Sequence, residues 1–266
     1  MSYINLLKTR SYNEIDFLLL ENDDMGKDIL SGTVWEEHII NFLNRNITEN
    51  DVFIDVGSNY GWHSLLASKK CKRVYSFEPQ KEICNIQELN IKQNNIKNIE
   101  LFNIGLGNEN ISSFMPCVDY SLTAININFG DQSVSTSGNE ISIKTLDSII
   151  NEKINYIKID VQGYEKFVLE GARNLINEYH PILIVEFESF QLAKFSYTAS
   201  DLFNYLKSLN YKGYFLDYRY PSDHVFIHEQ DLNKFISINK DFIKPNNSSN
   251  TLNYNLENGI TEKIIM

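Results

Sequence analysis

Residues 51–61 read D-V-F-I-D-V-G-S-N-Y-G, and this stretch says more about the fold than any other part of the chain. Its first six residues form a nearly continuous β-branched and apolar run, which is typical of a strand buried on both faces. Gly57 and Gly61 then allow backbone angles that a β-carbon would block. A helical pattern follows from Trp62 to about Lys70. The stretch therefore predicts a buried strand, a tight turn and a helix.

Strand and helix patterns continue to alternate along the chain, and this alternation predicts an α/β fold. We expect a doubly wound, mostly parallel sheet with helices on both faces and a closing antiparallel pair. The predicted strands are 73–77, 99–104, 154–161, 181–188, 214–218 and 224–228, and the predicted helices are 79–94, 163–178 and 201–209.

The chain of 266 residues divides by pattern into three parts. The N-terminal part holds an edge strand and a helix, the main domain carries a β-rich insertion, and the C-terminal part is a polar, Asn-rich tail. The N-terminal part is 1–50, with a strand at 16–21 and a helix at 34–43. The main domain is 51–228, with the insertion at about 106–150 and its β-like pieces at 112–117, 121–127 and 140–144. The C-terminal tail is 229–266, with a flexible stretch at 246–250.

Composition and charge narrow the class of protein. Apolar residues make up 42% and charged residues 22% of the chain, as in ordinary globular domains. The net charge of −11 argues against general nucleic-acid binding. Three widely spaced cysteines show neither zinc spacing nor a disulfide framework, and no apolar run is long enough to span a bilayer. We therefore expect a cytoplasmic protein without membrane contact, and the sequence is silent on its oligomeric state.

The turn at 55–61 has the chemistry of a ligand-binding loop. The first amides of the following helix are free donors at a positive dipole end, where they could bind a carboxylate. Asp55 could accept from an ammonium group or from loop amides, and Gly57, Ser58, Asn59 and Gly61 would form the cradle. The alternative is a tight strand–helix turn without a ligand.

Glu78 lies 21 residues after Gly57, at the end of the next predicted strand. An acidic residue about 20 residues after such a loop can accept hydrogen bonds from both hydroxyls of a ribose. Its alternative role is to favour the positive end of the next helix. The loop lacks the G-x-G-x-x-G fingerprint of dinucleotide binding, so S-adenosylmethionine suits it better than NAD.

Lys158 and Asp160 lie two residues apart on a predicted strand and therefore face the same side. A lysine inside a buried strand needs a partner, for which Asp160 and Glu186 are candidates. The pair is either a structural ion pair or an acid–base site. In the second case the proton is taken by Asp160, or by Lys158 if burial lowers its pKa. Glu165 follows near the start of a helix, as a cap or as an active-site contact.

Other candidates are weaker. A lone histidine is more often packed or solvent-exposed than catalytic, but His63 follows the loop and His224 opens the last strand, where both could reach a site. No second acidic pair with ligand geometry accompanies Asp160, so we expect no metal. The insertion and the helix near Trp35 depart from the core pattern, and we expect them to wall the acceptor site.

Four blocks of the chain resemble FkbM-type S-adenosylmethionine-dependent methyltransferases and occur in the same order. They are 55–61, 75–79 (Y-S-F-E-P), 145–147 (T-L-D) and 157–165 (I-K-I-D-V-Q-G-Y-E). The resemblance covers about residues 33–228. It implies a Rossmann-like class I methyltransferase fold with a final antiparallel strand, the cofactor S-adenosylmethionine, and methylation of sugar or polyketide hydroxyls.

The resemblance has one departure with a chemical consequence. One common family variant has Glu where this chain has Gln162, and a neutral amide has no acid–base role. We therefore predict an O-methyltransferase for a small-molecule or glycan hydroxyl, with Asp160, Lys158 and Glu165 as its catalytic residues. The alternatives are an RNA ribose O-methyltransferase, which would use the same lysine and acid, and an NAD-dependent oxidoreductase.

Overall fold

The computed structural model describes residues 3–122, 128–216, 222–245, 260 and 262–265. Its strands are β1 Leu7–Tyr12, β2 Ile15–Leu20, β3 Val52–Val56, β4 Arg73–Phe77, β5 Ile99–Phe102, β6 Gly105–Leu106, β7 Ile111–Met115, β8 Asn139–Lys144, β9 Tyr156–Ile159, β10 Ile182–Phe187, β11 Tyr211–Leu216, β12 Ser222–His228, β13 Ile243–Pro245 and β14 Glu262–Ile264. Its α-helices are α1 Asp24–Ser31, α2 Glu37–Asn46, α3 Trp62–Ser68, α4 Lys81–Gln93, α5 Glu165–Gly171, α6 Arg173–Tyr179, α7 Ser189–Ala193, α8 Ala199–Ser208 and α9 Leu232–Asn239.

Nine strands form the main sheet in the order β13-β14-β11-β12-β10-β9-β3-β4-β5. The strands from β10 to β5 pair in parallel, whereas β12 runs antiparallel to both β10 and β11. The predicted α/β architecture with a closing antiparallel pair is confirmed. The sheet is mixed rather than purely parallel, because the pairs of β12 and the pair β13–β14 are antiparallel. Beyond the predicted edge of the sheet, β14 pairs in parallel with β11.

Alternate residues of the buried strands face two different layers of helices. Ile54 packs in a core cluster with Val168 and Leu202, which belong to α5 and α8. Its neighbour Phe53 packs in another cluster with Phe42 of α2 and Ala67 of α3. The two-residue period of a strand therefore explains why residues 52–56 are apolar on both faces.

The N-terminal strand pairs differently from the expectation. The predicted edge strand is β2, and it pairs with β1 in a separate two-stranded sheet. The turn between them holds Asn13 and Glu14, both with positive φ (48° and 60°). Two successive positive φ angles are typical of a tight type I′ hairpin, which sequence reasoning usually recognises from glycine. The hairpin packs through Phe17 onto Trp62 at the start of α3, with ring centroids 4.5 Å apart.

The insertion forms a small sheet of β6, β8 and β7 beside the main one. Two of its three predicted pieces correspond to β7 and β8, whereas most of the piece at 121–127 lies outside the described residues. The insertion contacts the N-terminal part, because Asp23 Oδ1 accepts a hydrogen bond from the Phe129 amide at 2.8 Å. In the C-terminal part the structure describes α9, β13 and β14, and the stretch 246–250 lies outside the described residues.

Among the described residues, no helix combines the length and the apolar character needed to cross a membrane.

The turn after β3 depends on a close approach between two backbones. Gly57 has φ +79°, and a β-carbon there would lie 1.8 Å from the carbonyl oxygen of Asp160. Gly32 at the end of α1 also has a positive φ, +115°, but a β-carbon there would meet nothing within 4 Å. A comparison of the two glycines therefore distinguishes the cost of a left-handed backbone conformation from the cost of steric overlap.

We predict that Gly57→Ala lowers the free energy of unfolding by about 3 kcal/mol or more, because left-handed strain and overlap with β9 add together. The matched Gly32→Ala change brings only the strain, about 1–2 kcal/mol. Urea unfolding followed by circular dichroism measures both. Equal losses in the two variants would contradict the close approach at Gly57.

Candidate functional site

A cavity of about 340 Å³ opens where the strands β3, β4, β9 and β10 end. Residues that follow each of these strands line it, together with Trp35 and Glu36 from the segment before α2 and several residues of the insertion. The carboxyl ends of parallel strands are the usual ligand-binding edge of such sheets. The predicted walls, the insertion and the segment around Trp35, therefore lie at this cavity.

The loop 57–61 is fixed to the end of β4 by its backbone. The amides of Gly57 and Ser58 both donate to the carbonyl of Phe77 at 3.0 Å. Asn59 adopts a left-handed conformation with φ 51°, and its side-chain Oδ1 is buried without a hydrogen-bond partner. Gly57, Ser58 and Asn59 line the cavity, whereas Gly61 lies outside the lining, at the N-cap of α3. The loop therefore presents a free amide oxygen to a ligand.

Asp55 lies beneath this loop and does not line the cavity. Its Oδ2 accepts a hydrogen bond from Ser64 Oγ at 2.6 Å, and Ser64 contacts Ser76 Oγ at 2.9 Å. The side chain of Gln87 continues this buried network by donating to Ser76 and accepting from Ser58 at 2.8 Å. Burial raises the pKa of Asp55. Asp55 was predicted to contact the ligand. In the structure its side chain instead lies beneath the loop and supports it through this buried network.

Glu78 lines the cavity and ties two turns together. One carboxylate oxygen accepts from the Asn59 amide at 3.0 Å and the other from the Gln80 amide at 2.8 Å. The residue is only 3% exposed, and burial raises its pKa to about 7. Each oxygen keeps a further lone pair, so the carboxylate can still accept from a pair of hydroxyls.

Lys158 is buried opposite Asp55 in the parallel register of β9 and β3. Its Nζ donates to Asp160 Oδ2 at 3.0 Å and lies 3.7 Å from Glu36 Oε2. Burial lowers the pKa of Lys158, but the surrounding carboxylates, Asp160 first, outweigh burial and raise it well above its usual value. The expectation of a lysine with a lowered pKa is therefore wrong, because its neighbours are acidic. A raised pKa favours the charged form of Lys158 and disfavours a role as the base.

Gln162 connects the two carboxylates beside Lys158. Its Nε2 donates to Asp160 Oδ1 at 3.1 Å and contacts Glu186 Oε2 at 3.4 Å. Burial raises the pKa of Glu186 well above its usual value. Burial acts on Asp160 too, but its contacts with Lys158 dominate and lower its pKa. Glu186, which was predicted as a partner of Lys158, instead contacts the side-chain amide of Gln162. Because Gln162 donates to Oδ1 and Lys158 donates to Oδ2, both oxygens of Asp160 accept a hydrogen bond.

Glu165 is a positioning residue in this structure. Its Oε1 accepts from the amides of Val161 at 3.2 Å and Gly163 at 3.0 Å, and its Oε2 lies 3.3 Å from the hydroxyl of Tyr197. The side chain is 1% exposed and is not part of the cavity lining. The predicted catalytic contact is therefore not supported, because the carboxylate faces the turn beneath the cavity.

Glu36, His63 and Asp223 lie near the lysine, His38 contacts Asp223, and all four come from parts of the chain far from β9. Glu36 Oε2 lies 3.3 Å from His63 Nε2, and His38 Nε2 lies 2.6 Å from Asp223 Oδ2. Sequence reasoning missed Glu36, His38 and Asp223, because neither a motif nor a spacing marks them. His63 does reach the cavity, whereas His224 is fully buried beside the rings of Phe187, Phe203 and Phe215.

Within the described residues, no group of three or more His, Cys, Asp or Glu side chains could hold a metal ion.

The fold and this site define the class of protein. Residues 55–212 match the model of the methyltransferase FkbM domain, and the chain belongs to that family of methyltransferases. Over 156 residues it is 30% identical to the hexuronic acid methyltransferase AglP of Haloferax volcanii, in a match that spans 56% of this chain and 61% of that protein.

Solved structures show the same fold. The methyltransferase FkbM from Methylobacillus flagellatus KT superposes with a TM-score of 0.51 at 19% identity, covering 69% of this chain and 44% of that one. An rRNA methylase from Streptococcus thermophilus gives a TM-score of 0.48 at 14% identity, covering 74% of this chain and 98% of that one. The similarity to the methyltransferase FkbM supports the predicted Rossmann-like fold.

The charge of Lys158 gives a prediction about stability. With Lys158→Met, Asp160 and Glu36 lose their cation, so the pKa of Asp160, which is lowered in the wild type, rises, and the raised pKa of Glu36 rises further. A carboxyl with a raised folded pKa loses folding stability as pH rises between its two pKa values. We therefore expect a loss of about 3–5 kcal/mol at pH 8 and a smaller loss at pH 5.

Urea unfolding at both pH values measures this effect. The control is Lys153→Met, which removes an exposed lysine from the segment before β9 and should cost less than about 0.5 kcal/mol. A loss of equal size at both pH values would show that the charge of Lys158 does not stabilise the carboxylates.

Proposed function

We propose that the protein is an S-adenosylmethionine-dependent O-methyltransferase that acts on a hydroxyl of a sugar or glycan. The observation that carries the proposal is a cavity that is lined by Gly57, Ser58 and Asn59 of the loop, by Glu78 and by the ionisable groups around Lys158. One end of such a cavity suits a nucleoside donor and the other suits proton removal from an acceptor. The sugar class rests on the similarity to AglP.

The residues at the loop end fit this donor. Glu78 can accept hydrogen bonds from the two ribose hydroxyls, and the unpartnered Oδ1 of Asn59 can accept from an ammonium group. Phe77, Ile104 and Leu106 line the cavity beside Glu78 and offer an apolar surface for a purine ring. When bound, S-adenosylmethionine supplies a methyl group on a positively charged sulfur.

The other end of the cavity has to activate a hydroxyl. A neutral hydroxyl is a weak nucleophile, so its proton must leave as the new bond to carbon forms. Asp160, Glu36 and Glu186 line this end, and all three are carboxyl groups. Lys158 holds Asp160 and Glu36 in place, and positioning of the acceptor oxygen supplies much of the remaining rate.

Calorimetric titration tests the choice of cofactor. We expect S-adenosylhomocysteine to bind with micromolar affinity and NAD not to bind. Glu78→Ala should weaken that binding by roughly 10- to 100-fold, because it removes a charged hydrogen-bond acceptor. Glu88→Ala, on the exposed face of α4, is the matched control and should bind as the wild type does. Binding of NAD in place of S-adenosylhomocysteine would overturn the proposal in favour of an oxidoreductase.

The charge of the cavity predicts which acceptors react. Besides Glu36, six acidic side chains line it, and Lys158 is the one cationic side chain among the described residues that do so. An acceptor carboxylate would meet these acidic groups with Lys158 as the one cation already paired to Asp160, which disfavours its binding. The six are Glu78, Asp131, Asp160, Glu186, Glu188 and Asp223.

We therefore expect neutral sugars and amino sugars to be better acceptors than uronic acids. With labelled S-adenosylmethionine, methyl glucoside and methyl glucosaminide should exceed methyl glucuronide in kcat/KM by about tenfold or more. Added salt should narrow that difference, since it screens the carboxylates. A preference for the glucuronide would contradict this charge argument, and methylation of a short RNA alone would instead favour the ribose methyltransferase.

A further inference from the structure

Two buried polar atoms in the cavity wall lack hydrogen-bond partners and face each other. They are Oε2 of Glu36 and Nε2 of His63, 3.3 Å apart. Burial and the charge of Lys158 hold the pKa of His63 well below its usual value, which disfavours the protonated ring. With the imidazole proton on Nδ1, a protonated Glu36 would donate a hydrogen bond to the free Nε2 of His63 across this gap of 3.3 Å.

The other carboxylate held by Lys158 is less suited to accept a proton. Asp160 receives hydrogen bonds on both oxygens, from Lys158 at 3.0 Å and from Gln162 at 3.1 Å. Protonation of Asp160 would disrupt contacts that are already satisfied. Glu36 has a single hydrogen bond, from Trp35 Nε1 to Oε1 at 3.1 Å, and a neighbour that can receive its proton.

We propose that Glu36 is the general base of the methyl-transfer site and that His63 is a positioning residue for its protonated form. The inference rests on the proposed function. The acceptor oxygen forms a bond to the methyl carbon while the bond from that carbon to sulfur breaks, and its electron pair stays on sulfur. The hydroxyl proton passes to the Glu36 carboxylate, so the sulfonium becomes a neutral thioether and the carboxylate a neutral acid.

The groups that face Glu36 determine its protonation. Burial raises its pKa to about 8, Lys158 opposes that shift, and the nearby carboxylates add to it. A base must be ionised to act, so kcat should rise with pH up to about this value and then level off. The facing groups are Lys158 on β9, Asp160 directly after that strand, Asp55 on β3, Asp223 on β12, Glu186 on β10 and His63 on α3.

The decisive variant is Glu36→Gln, assayed with saturating S-adenosylmethionine and the best sugar of the acceptor panel. We expect kcat to fall by about 10²- to 10⁴-fold and the rising limb of its pH profile to vanish. The Kd for S-adenosylhomocysteine should stay within about threefold of the wild type, which shows that the site is intact. Glu37→Gln, an exposed neighbour in the same helical turn, should leave all three quantities unchanged.

Two companion variants separate the roles. His63→Phe keeps the site buried but removes the acceptor for the Glu36 proton, so the rising limb should move to lower pH. Asp160→Asn should lower kcat less than Glu36→Gln and retain the limb. Normal kcat in Glu36→Gln, or loss of the limb in Asp160→Asn alone, would overturn the assignment. Absence of both cofactor binding and methyl transfer in the wild type would instead refute the proposed function.

Infrared spectroscopy in heavy water tests the base without any acceptor. The free wild-type protein should show one more protonated carboxyl band than Glu36→Gln at about pH 6, and the two spectra should agree in that region at about pH 10. Identical spectra at the lower pH would show that Glu36 is already ionised there. That result would overturn the inference while leaving the cofactor measurements untouched.

Discussion

One buried ammonium group, that of Lys158, determines how the ends of the central strands and the segment before α2 come together. Its charge lies within reach of Asp160, directly after its own strand, and of Glu36. In a low-dielectric interior, each of these carboxylates would be strongly disfavoured without a cation. The lysine therefore permits an acidic cavity to exist at the edge of the sheet, and every proposed catalytic role depends on that cavity.

The sequence predicted the parts of the site that are local along the chain. The 57–61 loop and Glu78 follow two neighbouring strands, and Lys158 and Asp160 share one strand, so their meeting follows from strand order and a two-residue period. Glu36 could not be found in this way. It precedes a helix in an otherwise undistinguished stretch, and only tertiary packing brings it to 3.7 Å from Lys158.

The same distinction applies to two predicted site residues that do not line the cavity. Asp55 and Glu165 lie within motifs, but a motif match does not show whether a residue contacts the ligand or only shapes the site. Both are buried and bind backbone amides or hydroxyls that shape the loops above them. The β1–β2 hairpin was also missed, because its turn uses Asn13 and Glu14 in a conformation usually marked by glycine.

The acidity of the cavity acts on the donor as well as on the acceptor. Carboxylates attract a sulfonium and do not attract the neutral thioether that remains after transfer, so binding of the donor is favoured over binding of the product. The same charges oppose transfer, because the positive charge disappears as the methyl group leaves. A base that ends the reaction as a neutral acid removes part of that penalty. Glu36, beside His63, is placed to do so, whereas the contact with Lys158 lowers the pKa of Asp160 and disfavours its protonation.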